Sequence, residues 1–191
     1  MSRLRRLVLL RHGETVGQSS IRFHGKTDVA LSDEGLAHAH AARLALRQEV
    51  FDRVVASPLR RAWMSAMIVT AGARVELESG FREVDFGRWE GLTAEEIRAR
   101  DPAPYEQWQA KEPDFAYPGG EIRAHFKVRV LEGLTRIEQS PSSRVLVVAH
   151  KGVIRVIAEQ LLGASMDDAR PELGESVTIA RALDGGYCLV R

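Results

Sequence analysis

Three short runs of mostly apolar residues constrain the fold of this chain more than any other sequence feature. They lie at 6–10 (RLVLL), 53–56 (RVVA) and 144–149 (RVLVVA). Because apolar side chains fill successive positions, both faces of each predicted strand are expected to be covered, as in parallel sheets. A fourth segment, at 73–77 (ARVEL), is also predicted to be a strand.

Helical patterns separate these strands. In one of them, Leu59, Trp63 and Met67 are four residues apart, which predicts that this stripe packs against the sheet. The segment 122–139 has the same pattern, and Gly163 ends a further predicted helix. Strands that alternate with helices imply crossover connections, so we predict an α/β fold with a mainly parallel central sheet.

The last part of the chain has a different pattern. SVTIARAL and YCLVR flank a DGG turn, which predicts a C-terminal antiparallel hairpin at the edge of the sheet.

The length of 191 residues predicts one domain, 1–191. Within it, 87–121 is rich in aromatic residues and proline, and one helix is predicted near 93–100. This insertion is either a satellite core under a long loop or a lid-like wall of a binding site.

Charge and cysteine content exclude several classes of partner and site. The net charge of +1 gives no general affinity for nucleic acid or an anionic membrane. No stretch is long enough to span a membrane. The single cysteine, Cys188, excludes an intramolecular disulfide and a CxxC zinc site, and it is predicted to be a small core residue. The N-terminal apolar run is too short for a signal peptide, so we predict a cytoplasmic protein.

Basic side chains follow three of the predicted strands. RHGET comes after the first, SPLRRA after the second and HKG after the run at 144–149, while REVDFGRWEG follows the segment at 73–77. Ligands of parallel sheets bind beyond the carboxyl ends of the strands, so we expect these residues to converge. Two histidines and two arginines without a carboxylate between them repel one another unless an anion is bound. A phosphoryl group fits best, because its oxygens match the forked arginine side chain.

This set of residues suggests phosphoryl transfer. A neutral imidazole can attack phosphorus and form a covalent intermediate, while arginines neutralise the charge of the transition state. The leaving alkoxide needs a proton, which a nearby carboxylic acid can supply. The sequence has no P-loop and no evident acidic metal-binding motif, so neither a metal nor a cofactor is predicted.

Seven motifs resemble, in order along the chain, those of the histidine phosphatase superfamily, also called phosphoglycerate mutase-like. They are RHGET, RFHG, TDVALSDEG, SPLRRA, REVDFGRWEG, PGGE and VVAHKG. The resemblance implies a three-layer α/β/α sandwich. It implies that His12 is the nucleophile that becomes phosphohistidine and that Glu83 is the proton donor. The remaining residues of the phosphate pocket that it implies are Arg11, Arg61 and His150.

Two of these assignments have competitors nearby in the sequence. Charge alone does not separate Arg60 from Arg61, but the family spacing SPLxRA selects Arg61. Glu14 and Asp85 compete with Glu83 for the role of the acid, although Glu14 is predicted to brace the loop after the first strand. The family position favours Glu83.

The chain departs from the usual family pattern near the expected substrate. Relatives often carry an aromatic residue and an asparagine where this chain has Gly17 and Gln18, and a small hydroxyl or amide residue at the position of His24. Lys151 replaces a usual glycine, and Gly25 allows close approach of the backbone. The predicted substrate-binding residues are Gln18, His24, Gly25 and Lys151.

The sequence therefore predicts a metal-independent phosphomonoesterase that hydrolyses a small-molecule phosphate ester, such as an α-ribazole phosphate or a sugar phosphate. A cofactor-dependent phosphoglycerate mutase is the alternative, but such mutases carry extra sequence after the WEG motif. A non-catalytic phosphate-binding regulatory domain is a third alternative, and it is expected to have lost some of the five catalytic residues. The sequence is also compatible with a homodimer.

Overall fold

The computed structural model describes residues 3–166 and 171–190, and its centre is a six-stranded sheet. The strands are β1 (Arg6–Arg11), β2 (Arg53–Ala56), β3 (Glu76–Leu77), β4 (Arg144–Ala149), β5 (Ser176–Arg181) and β6 (Tyr187–Val190). Their order across the sheet is β3-β2-β4-β1-β5-β6. The first four strands are parallel, whereas β5 is antiparallel to both β1 and β6. The predicted parallel sheet and edge hairpin are thus confirmed.

Six helices connect or cover these strands. They are α1 (Asp33–Ala45), α2 (Arg60–Val69), α3 (Ala94–Arg100), α4 (Pro102–Gln109), α5 (Arg123–Glu138) and α6 (Lys151–Leu162). The Ser32 hydroxyl caps α1 by accepting the N–H of Gly35, and Gly163 ends α6 in the left-handed region. None of the helices in the described ranges is both long enough and apolar enough to cross a membrane.

Alternate residues along the central strands face two separate apolar clusters. One cluster lies under α5 and α6 and includes Leu7, Leu9, Val145 and Val147. The other lies under α1 and α2 and includes Val8, Leu10, Leu146 and Val148. Because each strand buries both of its faces, the continuous apolar runs of the sequence produce the three layers of an α/β/α sandwich.

The prediction that the apolar stripe of α2 packs against the sheet is wrong. Trp63 and Met67 are 37% and 39% exposed, and only Leu59 of the stripe is buried. The buried face instead carries Arg61 together with small side chains, namely Ala62, Ser65, Ala66 and Val69. An arginine occupies the inward face because it serves the polar site described below, and the small residues beside it let the helix lie close to its neighbours.

Three smaller predictions also need correction. The strand predicted over 73–77 is only two residues long, since it forms the open edge of the sheet beside β2. Cys188 is exposed rather than buried, because β6 is the other edge strand. Within 87–121 a second helix, α4, follows α3, and Pro102 stands in its first turn, where a missing N–H costs nothing.

Candidate active site

The carboxyl ends of the parallel strands converge on one polar site. Arg11 ends β1 and His12 follows it, His150 follows β4, Arg61 lies in the first turn of α2, and Glu83 lies in the loop after β3. All five side chains are buried, none more than 8% exposed. The convergence expected of residues that follow parallel strands is therefore present.

The position of the His12 proton is fixed by a hydrogen bond. Nδ1 lies 2.6 Å from the carbonyl oxygen of Gly13, which can only accept, so Nδ1 carries the proton and Nε2 keeps its lone pair. Burial lowers the pKa of His12 well below its ordinary value, and the positive charges of Arg61 and Arg11 lower it further. The ring is therefore neutral and able to act as a nucleophile at neutral pH.

This lowered pKa predicts where activity is lost in acid. A nucleophilic His12 stays neutral until the pH falls through its lowered pKa, so the acid limb of kcat/KM should lie below pH 6.5, the ordinary value for histidine. The measurement is a pH–rate profile corrected for ionisation of the substrate phosphate. An acid limb at or above pH 6.5 would contradict the assignment of a neutral His12.

His150 stands beside His12 as the N-cap residue of α6. The ring centroids are 5.0 Å apart, and Nε2 of His150 lies 2.8 Å from the Ser57 hydroxyl. Burial and the charge of Arg61 lower the pKa of His150 as well. Nδ1 of His150 is buried without a hydrogen-bond partner in the described part of the chain. If Ser57 donates to Nε2, Nδ1 carries the proton and can donate to a bound phosphoryl oxygen.

Arg61 is held from behind the cavity by backbone carbonyls. Nη1 donates to the carbonyl of Thr27 at 2.9 Å, and Nη2 donates to those of His24 and Gly25 at 2.9 and 2.7 Å. Nε is buried and has no hydrogen-bond partner among the described residues. The guanidinium therefore supplies a fixed positive charge whose two Nη2 donors are both engaged, rather than the open two-donor fork suggested by the sequence.

The segment that holds Arg61 is itself fixed by Glu90, a residue that the sequence analysis did not single out. Its carboxylate accepts backbone N–H groups of Gly25, Lys26 and Thr27, with distances of 3.0–3.2 Å. Gly25 packs so closely that a Cβ atom there would overlap the carbonyl of Val84. Gly25 thus shapes the support of Arg61, and it does not line the cavity beside His12.

Glu83 lies at the wall of that cavity, against the first turn of α6. Its two carboxylate oxygens accept the N–H groups of Val84, at 3.0 Å, and Gly152, at 3.2 Å. A Cβ atom on Gly152 would approach Glu83 to 2.6 Å, so the glycine makes room for the carboxylate. The side chain is 8% exposed and lines the same cavity as His12. It is placed to exchange a proton with a group bound there.

The two competing carboxylates are engaged elsewhere. Burial alone would raise the pKa of Glu14, but hydrogen bonds from Ser20, Thr15 and Ser19 outweigh it and lower the pKa to about 2. Glu14 therefore stays ionised and braces the loop after β1, as the sequence indicated. Asp85 pairs with Lys26 at 2.8 Å, and neither acid lines the cavity.

Arg129 of α5 fixes the loop that carries Glu83. It donates to the carbonyls of Gly80, Arg82 and Glu83 at 2.6–3.0 Å, and its fork also binds the Glu121 carboxylate. No motif in the sequence marks Arg129, although its partner Glu121 belongs to the PGGE motif. Arg129 is therefore a positioning residue for Glu83.

Replacing Arg129 with methionine is expected to lower kcat by up to about a hundredfold, because small displacements of a reacting group have effects of that size. If Arg129 acts through Glu83, alkyl phosphates should lose more activity than p-nitrophenyl phosphate, whose leaving group hardly needs a proton. The exposed Arg98→Met variant on α3 is the control. Equal losses for both substrates would reduce Arg129 to a general structural role.

The cavity has a volume of about 340 Å³ and an aromatic wall. The ring-bearing residues in this wall are Phe23, Phe86, Trp108, Tyr117 and Phe126. Trp89 and Phe115 pack behind them in the same cluster. The aromatic segment 87–121 therefore contributes both to a core and to a wall of the site, which were the two alternatives for it. Its movement as a lid stays a prediction.

The four predicted substrate-binding residues divide into two pairs. His24 and Lys151 line the cavity, whereas Gln18 and Gly25 do not. Gly17 and Gln18 both have positive φ, of 94° and 63°, and this turn leaves Gln18 exposed. The following residues, Ser19 and Ser20, take its place at the cavity wall. No group of three metal-ligating side chains that could hold an ion occurs among the described residues.

Several known proteins with similar sequences and structures are named as phosphatases. The profile of the histidine phosphatase superfamily (branch 1) matches residues 7–186. The chain is 34% identical to a glucosyl-3-phosphoglycerate phosphatase of Mycolicibacterium vanbaalenii, over 87% of this chain and 78% of that protein. It is 28% identical to phosphoserine phosphatase 1 of Hydrogenobacter thermophilus, over 84% and 78% of the two chains. The crystal structure of the α-ribazole phosphatase from Shigella flexneri superposes with a TM-score of 0.85 at 26% identity, covering 97% of this chain and 94% of that one.

Proposed function

The chain belongs to the histidine phosphatase superfamily, and we propose that it hydrolyses a small organic phosphate through a phosphohistidine at His12. The observation that carries the proposal is the buried, neutral His12, whose Nδ1–H is held by Gly13 and whose Nε2 keeps its lone pair. The names of its relatives support a phosphatase that acts on small phosphate esters.

In the first step, Nε2 of His12 attacks phosphorus and the bond between phosphorus and the ester oxygen breaks. Glu83, protonated at this stage, gives its proton to the leaving alkoxide. Arg11 and Arg61 stabilise the charge on the phosphoryl oxygens, and Nδ1 of His150 donates a hydrogen bond to one of them. These cations serve the purpose that a metal ion has in other phosphoryl-transfer enzymes, so the proposed reaction needs none.

In the second step, water attacks the phosphohistidine. The Glu83 carboxylate takes a proton from this water as its oxygen bonds to phosphorus, and the bond between phosphorus and Nε2 breaks. Inorganic phosphate leaves, His12 is neutral again, and Glu83 is protonated for the next cycle. One carboxyl group thus acts first as an acid and then as a base.

A panel of phosphate esters assayed in the presence of EDTA tests this function. Release of inorganic phosphate supports the phosphatase. Interconversion of 2- and 3-phosphoglycerate without release would instead indicate a mutase, and binding without turnover would indicate a regulatory domain. The mutase is disfavoured by the short sequence after WEG, and the regulatory domain by the presence of all five catalytic residues.

Three further properties remain proposals. We propose that residues 1–191 act as one catalytic domain, since the family profile extends over most of this range. We also propose a cytoplasmic location, with which the single cysteine is compatible. The homodimer stays a prediction that sedimentation or light scattering can check.

A further inference from the structure

The cavity beside His12 carries more positive charge than one phosphoryl group requires. The basic side chains in its lining, apart from the histidines, are Arg11, Arg22, Arg123, Lys151 and Arg155, and the one acid among the lining residues is Glu83. Arg11 belongs to the phosphate pocket, and Arg61 adds its charge from behind the wall. The other four cations in the lining have no role in the phosphate pocket described above. They are Arg22, Arg123, Lys151 and Arg155.

Two of these four cations, Arg22 and Arg123, are held by hydrogen bonds to the aromatic segment. Arg22 donates to the carbonyl of Gly91 and pairs with Glu96 at 2.9 Å. Arg123 donates to the carbonyls of Glu112 and Trp108 at 2.7 and 3.0 Å. Both side chains therefore hold the aromatic segment in place. They are not the best candidates for contact with a ligand.

Arg155 differs from these arginines. It is partly buried and lines the cavity, yet no hydrogen bond or ion pair joins its guanidinium to another residue in the described ranges. Its N–H donors thus have no acceptor among the described residues at this wall of the cavity. Withdrawing such a group from water is unfavourable unless an acceptor replaces the lost hydrogen bonds. A bound anion would supply that acceptor.

The position of Arg155 on α6 defines where this anion lies. His150 caps the helix beside His12, and Lys151 and Arg155 follow on one face, one turn apart. Five residues of helix separate His150 from Arg155, a rise of about 7.5 Å along the axis. A molecule whose phosphoryl group meets His12 would extend along this face, with Phe126 and Trp108 in the walls beside it.

We propose that Arg155, with Lys151 beside it, forms a second anion subsite, so that the preferred substrate carries a carboxylate or a second phosphate besides the ester that is cleaved. This inference rests on the proposed phosphatase function and specifies its substrate class. The carboxylate or phosphate oxygens accept from the Arg155 fork, which suits planar or tetrahedral oxyanions equally. Lys151, which stands where relatives usually have glycine, then contributes to the selection of the substrate.

Two matched pairs of esters test the subsite. 3-Phosphoglycerate and glycerol 3-phosphate differ mainly in a carboxylate, and fructose 1,6-bisphosphate and fructose 6-phosphate differ in a second phosphate. The wild type is expected to prefer one doubly anionic ester over its counterpart by roughly tenfold to a hundredfold in kcat/KM, the range of a hydrogen bond between charged groups. The pair that shows the preference identifies the anion.

Arg155→Gln should remove most of this preference, mainly through KM, and Arg155→Lys should restore part of it. Arg43→Gln, on the exposed face of α1, is the matched control and should keep the preference. Thermal unfolding of each variant verifies that it is folded.

Two outcomes would overturn the inference, and they differ from each other. If the wild type releases phosphate from all four esters without a preference, or if Arg155→Gln lowers kcat/KM equally within each pair, the second subsite is wrong and the phosphatase function stands. If no ester releases phosphate, the proposed function itself is wrong, and the subsite falls with it.

Discussion

Replacing His12 with alanine is expected to lower kcat by a factor of about 10⁴ or more, the range seen when a covalent nucleophile is removed. The reason is that Nε2 of His12 keeps its lone pair while its Nδ1–H is held by the carbonyl of Gly13, at the buried end of β1 beside Arg11. The measurement is release of inorganic phosphate from an ester that the wild type hydrolyses, with single-turnover rates where the steady-state rate is too slow.

The control for this variant is His40→Ala, because His40 is an exposed histidine on α1, away from the cavity. It should keep the wild-type rate. A His12→Ala enzyme that retains more than about a tenth of the wild-type kcat would remove His12 from the role of nucleophile.

Replacing Glu83 with glutamine has the second-largest expected effect, and its size depends on the leaving group. For glycerol 3-phosphate, whose alkoxide must be protonated, kcat/KM should fall by about 10²–10⁴, the usual contribution of a general acid. For p-nitrophenyl phosphate the loss should be much smaller, because this leaving group is stable as an anion. Glutamine keeps an oxygen that can accept the N–H groups of Val84 and Gly152, so the loop is preserved.

The ratio of the two losses is therefore the informative quantity for Glu83. Glu95→Gln, an exposed carboxylate on α3, serves as the control and should change neither rate. Losses of the same size on both substrates would exclude Glu83 as the acid that protonates the leaving group. Glu14 would be a poor replacement, since its pKa of about 2 keeps it ionised.

The central layers of the fold could be predicted because they depend on local patterns. β1, β2 and β4 are continuous apolar runs, as is typical of strands in a parallel sheet that is covered on both faces. The edges of the sheet were harder, since β3 and β6 each have one neighbour and their side chains are only partly buried or exposed. Edge strands therefore carry a weak sequence signal.

The orientation of α2 could not be predicted because a buried charge overrides the apolar pattern. The stripe of Leu59, Trp63 and Met67 favours one inward face, but Arg61 is wholly buried and takes that direction instead. The carbonyls of Thr27, His24 and Gly25 make this burial tolerable, and they come from a distant loop. Periodicity contains no information about such partners.

The site residues that directly follow strands could be predicted from the sequence, whereas the residues that hold them in place could not. Sheet topology brings His12 and His150 to the same edge wherever the intervening chain goes. Glu90 and Arg129 act through contacts between residues far apart in the sequence, so no local motif identifies their roles.

Two departures from the family pattern, Gly17 and His24, are explained by the contact between them. His24 lies 2.9 Å from the carbonyl of Gly17, and a Cβ atom on Gly17 would approach the His24 ring to 3.0 Å. Gly17 also has φ of 94°, a conformation that glycine adopts readily. A larger residue at position 17 would therefore conflict with the histidine at position 24. The sequence shows both departures but not their contact.

The most direct test of the central claim is to trap the enzyme during turnover and locate the phosphoryl group. The enzyme is mixed with a hydrolysable ester, quenched in base, digested and sequenced by mass spectrometry. We predict one phosphoryl group, stable in base and lost in acid, on His12 within the RHGET segment. A phosphoryl group on any other residue, or continued turnover without a covalent species under conditions that should accumulate it, would contradict the proposed mechanism.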